Sequence, residues 1–189
     1  MCNTITINGC EYPINTNASK GQGCYIEILE AIERNLTAML SHHSRVYVAQ
    51  FVVHTHDFEH LNTGMSKLMK VIKRRLKTKY KLVRIAGGWV RETGASQLQH
   101  YHAALFVDGN SIWRLGGVQA LVTEILEMRN YPRPSFCAPH MVTRGVRHTF
   151  EEAFMHLSYL AKTRSKGKKA PTTNDYSFSR LKAKSDVNA

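Results

Sequence analysis

The chain has 189 residues, 43% of them apolar, enough for one domain with a core of its own. Lysine and arginine number 26 against 14 acidic residues, a net charge of +12 with a pI near 9.7, so the favoured partner is a polyanion. No run approaches the ~18 consecutive apolar residues of a membrane span, and the start, MCNTITINGCEYP, has neither the basic region nor the apolar run of a secretory signal.

In chain order, residues 4–7 and 10–14 alternate around Asn8-Gly9, a favoured two-residue hairpin turn. Residues 15–23 are a polar loop. A helix follows over residues 25–42, with Ile28, Ile32, Leu36 and Met39 on one stripe. Residues 45–54, RVYVAQFVVH, are apolar on both alternations, which predicts a central strand covered on both faces. Asn62 or Thr63 can cap the next helix, which runs to about Lys79. Its outer surface carries Lys67, Lys70, Lys73, Arg74, Arg75, Lys77 and Lys79, a face suited to phosphates or simply to solvent.

Residues 82–92 and 101–107 predict a long hairpin, with Gly87-Gly88 as a bulge in its first strand. A helix over 118–130 ends before Pro132 and Pro134. Residues 141–143 form a short strand, and a last helix covers 149–163. From residue 164 the chain turns basic and then polar, a tail that is mobile or ordered by DNA. The order β-α-β-β-α-β-α predicts an α+β fold: an antiparallel sheet with helices on one side. The units are a hairpin and loop over 1–24, a main domain over 25–170 and a tail over 171–189. The four cysteines, Cys2, Cys10, Cys24 and Cys137, contain no CxxC pair and read as reduced thiols of a cytoplasmic protein.

His100-Tyr101-His102 opens the second hairpin strand. Residues i and i+2 of a strand share a face, so the imidazoles converge while Tyr101, Ala103, Leu105 and Val107 face the other way. Glu92 ends the preceding strand and can supply an oxygen across the hairpin. Two imidazoles and a carboxylate make a metal site with open positions. Two hydrogen-bonded surface histidines are the plainer reading of the same pattern. His54-Thr55-His56 is a rival pair with no carboxylate-bearing partner strand, read as structural or DNA-contacting.

In the last helix Phe150, Phe154, Leu157 and Ala161 form the apolar stripe. At ~100° per residue Tyr159 points nearly opposite, with Lys162 three residues on along the same face. A tyrosine held there can act as a nucleophile. Its ordinary pKa near 10 leaves only about a thousandth ionised at neutral pH, so a nearby ammonium would help. An ordinary exposed Tyr and Lys is the plainer alternative.

Together Glu92, His100-Tyr101-His102 and Tyr159-Leu160-Ala161-Lys162 resemble the HUH endonucleases, and within them the single-tyrosine replication initiators with a YxxK motif. WVRE ending at Glu92, HYHAALFVDG from His100, LSYLAKTRSK around Tyr159 and YSFSR from Tyr176 are similar to the replication proteins of filamentous phages. The resemblance covers roughly residues 45–180. It implies a ferredoxin-like antiparallel sheet with flanking helices, and Mg²⁺ or Mn²⁺ held by His100, His102 and, less constantly in such proteins, an acid such as Glu92. It implies attack by Tyr159 on a DNA phosphate, assisted by Lys162, to leave a 5′-phosphotyrosine and a free 3′-OH.

Lys70, Arg74 and Lys77 are the candidate DNA contacts on the basic helix, and Arg91, Lys166 and Arg180 those within the motifs. The implied partner is single-stranded or locally melted origin DNA in a bacterial host cell. There is no GxxxxGK[ST] motif, so unwinding is expected from a separate helicase and host replication proteins. Three rivals remain: a non-catalytic DNA-binding protein, a two-histidine-one-carboxylate iron oxygenase, and a transposase or nickase acting on other mobile DNA.

Overall fold

The computed structural model describes residues 3–15, 23–93, 99–112, 116–163 and 174–185. The chain runs β1 (Asn3–Ile7), β2 (Cys10–Ile14), α1 (Ile26–His42), β3 (Arg45–His54), α2 (Thr63–Tyr80), β4 (Ile85–Thr93), β5 (Gln99–Asp108) and α3 (Gly117–Glu127). It continues with β6 (Ser135–Phe136), β7 (His140–Thr143), α4 (Arg147–Leu157), a 3₁₀ turn (Ser158–Ala161) and β8 (Tyr176–Phe178). A six-stranded sheet has the order β6-β3-β5-β4-β8, with β7 following β6 along β3. Every pairing in it is antiparallel. This is an α+β fold compatible with the ferredoxin-like arrangement. No helix among the described residues is long and apolar enough to cross a membrane.

The helices cover both faces of the sheet, not one. Tyr47, Ala49, Phe51, Val53, Tyr101, Ala103, Leu105 and Val107 pack against α2 and α3. Val46, Val48, Val90, Ala104 and Phe106 pack against α1 and α4. β3 and β5 are apolar on both alternations, and a one-sided layer would leave half of those side chains in water. The β1–β2 hairpin is no separate unit: Ile7 is buried in the second core, and Tyr12 stacks within 5.3 Å of Phe150 and 4.8 Å of Phe154.

Gly87-Gly88 is not a bulge, since β4 and β5 stay in register from Ile85 to Thr93. The glycines serve close packing. A Cβ on Gly87, whose φ is +152°, would lie 2.3 Å from the Ala104 carbonyl oxygen, and one on Gly88 would lie 2.3 Å from the Phe178 ring. Phe178 belongs to the segment expected as a mobile or DNA-ordered tail. Instead β8 pairs with β4, Gly88 opposite Phe178 and Val90 opposite Tyr176.

The last helix also ends sooner than its periodicity predicts. The Ser158 hydroxyl donates to the Met155 carbonyl and accepts the Asn15 N–H, which draws the backbone out of the α-helical pattern. The Ala161 carbonyl then accepts the Tyr25 N–H, and Lys162 bridges to Cys24. Tyr159 therefore sits in a tight turn whose far end is tied to the start of α1. Asn62 precedes α2 without capping it. Its amide accepts from the Tyr101 hydroxyl at 2.9 Å and donates to the Asn174 carbonyl at 2.7 Å.

Candidate metal centre

The β4–β5 register sets Glu92 directly opposite His100, and His102 opposite Val90. Opposed residues of a ladder share a face, as do residues two apart, so all three polar side chains converge. Nε2 of His100 and Nε2 of His102 each lie 3.5 Å from Oε2 of Glu92. One ligand atom from each residue falls within 4.8 Å of the others, and the group could hold a metal ion. A single ion with bonds near 2.0–2.2 Å keeps neighbouring ligand atoms roughly 3.0–3.4 Å apart, close to the 3.5 Å between each imidazole and the carboxylate. Glu92 is buried and the His102 side chain nearly so, while His100 is more open at 23% exposure, so the cluster is reached from solvent on the His100 side.

The opposite face of β5 braces this row. Gln99 is buried, accepts the Glu59 N–H and donates to the Glu59 carbonyl. Tyr101, equally buried, reaches Asn62. The segment between β3 and α2 is thereby fastened beneath the histidine strand. Burial pushes the Tyr101 phenol up to about 12, so it stays protonated.

His54 extends the row. It pairs with His100 across β3 and β5, and their rings stack 5.8 Å apart. Burial, and then His100 and His102, hold the His54 imidazole below its usual range. His56 turns away toward the Asn130 carbonyl, 2.9 Å from its Nε2.

Tyr159 arrives from the turn after α4. It is 36% exposed, and its ring centroid lies 5.5 Å from that of His102. Lys162 is buried, with Nζ 4.0 Å from the centre of the Tyr159 ring, a cation–π contact with the ring face. The fold thus collects Glu92, His100, His102, Tyr159 and Lys162 in one place.

The expected DNA contacts divide. Arg91 is 2% exposed and cannot meet a phosphate: its Nη2 lies 2.8 Å from Asp175 Oδ1, and Nη1 donates to the Glu59 and His60 carbonyls. Strand alternation turns it away from its neighbour Glu92, and the partner that compensates its charge comes from the segment leading into β8. That role was missed, although a lone arginine in the apolar strand IAGGWVRET already calls for a buried partner. Lys70, Arg74 and Lys77 are exposed on α2. That helix packs on the face of the sheet opposite the imidazoles, so these charges do not share a surface with the metal centre. Arg180 is exposed beyond β8, toward the end of β4 away from Glu92. Lys166 lies outside the described residues.

No protein-family model matches the chain, and comparisons with curated proteins and with solved structures find no significant match.

Proposed function

We propose that this protein is a divalent-metal-dependent DNA-nicking endonuclease with Tyr159 as its nucleophile. One observation carries the reading: an accessible tyrosine, 57 positions beyond His102 in the sequence, stands against that imidazole at the edge of the Glu92, His100 and His102 cluster. An iron oxygenase has no use for such a tyrosine or for a net charge of +12. Mg²⁺ or Mn²⁺ suits a site with a carboxylate oxygen and open positions. When bound, the ion would polarise the non-bridging oxygens of a phosphate and make phosphorus more electrophilic.

The chain's own residues supply the rest. Glu92, His100 and His102 would hold the ion, and the bound ion would in turn position the phosphate. The Tyr159 oxygen gives up its proton and bonds to phosphorus, the bond to the 3′-oxygen breaks, and that oxygen takes up a proton to leave a 3′-OH. The 5′-phosphate remains on tyrosine. Lys162 packs its charge on the Tyr159 ring and so sets the ring's position and field. The motif set supports the narrower reading, an HUH initiator of rolling-circle replication for a phage or mobile element. It would act on single-stranded or melted DNA with a separate helicase and host replication proteins.

The test is direct. The protein is incubated with Mg²⁺ or Mn²⁺ and a pool of single-stranded oligonucleotides, and denaturing gels are searched for covalent protein–DNA adducts. Metal-dependent adducts are expected. Their absence with a pool that includes the DNA flanking the protein's own gene would overturn the proposal.

A further inference from the structure

A second pair of imidazoles lies apart from the centre described above. His140 begins β7 and His156 lies in the last turn of α4. Nε2 of His140 is 2.8 Å from Nδ1 of His156, with ring centroids 4.6 Å apart. His140 pairs with Val48 of β3, whereas His102 pairs with Val52. Four residues of strand, ~13 Å, thus separate the two places along β3. That is well beyond the ~3.5–4 Å spacing of a two-metal catalytic pair.

Two imidazole nitrogens at this distance need something between them. A single proton serves if one ring donates to the other, and two imidazolium rings could not approach so closely. Burial first, and then His156, keep the His140 imidazole below its usual range. Glu152 acts on His140 in the opposite sense. It lies four residues before His156, on the same face of α4. As it stands, its carboxylate is outside the ligand distance that unites Glu92, His100 and His102. It is exposed, so a rotamer change meets little resistance.

We propose that His140 and His156 bind a second metal ion, a borderline transition metal such as Zn²⁺, with Glu152 turning in as a third ligand. Neutral imidazoles suit Zn²⁺, Ni²⁺ and Cu²⁺ in preference to Mg²⁺ or Ca²⁺. Tetrahedral Zn²⁺ with bonds near 2.0–2.1 Å needs nitrogens about 3.3 Å apart, so the rings open by only about half an ångström. The ion would tie α4 to β7 directly before the turn that carries Tyr159. Its role is structural, to hold that turn at a set height above the sheet, and it does not depend on the nickase reading.

The test uses the untagged, chelator-treated full chain and Zn²⁺ alone. In His100→Ala/His102→Ala, where the first site is disabled, calorimetry should still register one Zn²⁺ per chain. Adding His140→Ala and His156→Gln should abolish it. Zn²⁺ should also raise the melting temperature of the first variant and not of the second. If the first variant fails to fold, the wild type is compared with His156→Gln, an exposed position: the stoichiometry should fall by one Zn²⁺ per chain. Unchanged stoichiometry on loss of His140 and His156, or no Zn²⁺ bound by a folded His100→Ala/His102→Ala chain, would overturn the proposal and identify the pair as a plain N–H···N hydrogen bond.

Discussion

The ring of Tyr159 lies 5.5 Å from the ring of His102, although one rides on a turn after α4 and the other on the central strand β5. On the proposed reading, Tyr159→Phe removes only the attacking oxygen. The variant should fold and bind single-stranded DNA like the wild type, because the ring is 36% exposed and phenylalanine fills the same space. It should form no covalent adduct. Tyr176 is the rival nucleophile: it pairs with Val90, whose other neighbour is His102, and it packs against the same core. Peptide mapping of a trapped adduct decides between them, and an adduct that persists in Tyr159→Phe would remove Tyr159 from the mechanism. Lys162→Ala should slow cleavage without abolishing it.

Metal affinity should depend on all three members of the cluster. Glu92→Ala should weaken Mn²⁺ binding at least tenfold, about 1.4 kcal/mol or more, and His100→Ala or His102→Ala should abolish Mn²⁺-dependent cleavage. Calorimetry and adduct assays read the two effects. Should Glu92→Ala leave Mn²⁺ affinity unaltered, His54 is the first place to look for the third ligand, since it already stacks on His100.

The buried Arg91–Asp175 pair should anchor the C-terminal segment. Asp175→Ala leaves a guanidinium that is 2% exposed without its carboxylate, a loss of about 3–5 kcal/mol. The melting temperature should fall by roughly 10 °C, and amide exchange across the β4–β8 pairing should quicken. A melting temperature within ~2 °C of wild type would show that the pair contributes little.

Lys73 should leave a signature in the pH dependence of stability. Burial, and then Lys77, lower its ammonium to about 8, where it donates to Ser179 and the Gly87 carbonyl. The folded pKa is below the unfolded value of about 10.4, so the unfolded chain holds more protons between them and stability rises with pH in that window. The Cys137 thiol, raised by burial, opposes this from about pH 8.5 and the buried tyrosines above about pH 10, as the unfolded groups ionise first. The change in denaturant midpoint from about pH 8 to about pH 9.5 should therefore be more positive in the wild type than in Lys73→Met, which keeps the Cys137 contribution and loses that of the lysine.

The basic face of α2 should matter little to chemistry at the metal centre. Charge reversal at Lys70, Arg74 and Lys77 should leave the cleavage of a short oligonucleotide, and its salt dependence, close to wild type, because the sheet stands between that helix and the imidazoles. A shallower salt slope in the variant would mean that phosphates reach α2 after all.

Local periodicity carried much of this into the sequence. Alternation alone placed His100 and His102 on one side of β5 and Tyr101, Ala103 and Leu105 on the other, and the structure agrees. The same rule predicted a strand buried on both faces at residues 45–54, which was already at odds with helices on one side only. Tyr159 was legible as a residue off the apolar stripe, but its distance from His102 was not. Arg91, Gly88 and His54 were misread or underread for a common reason. Each takes its role from a partner on another strand: Asp175, 84 positions away, the Phe178 ring, and His100 across the ladder. Side-chain direction within one element follows from backbone geometry that neighbouring residues determine. Which elements meet depends on burying two apolar sheet faces at once, and that is settled only when the whole chain closes.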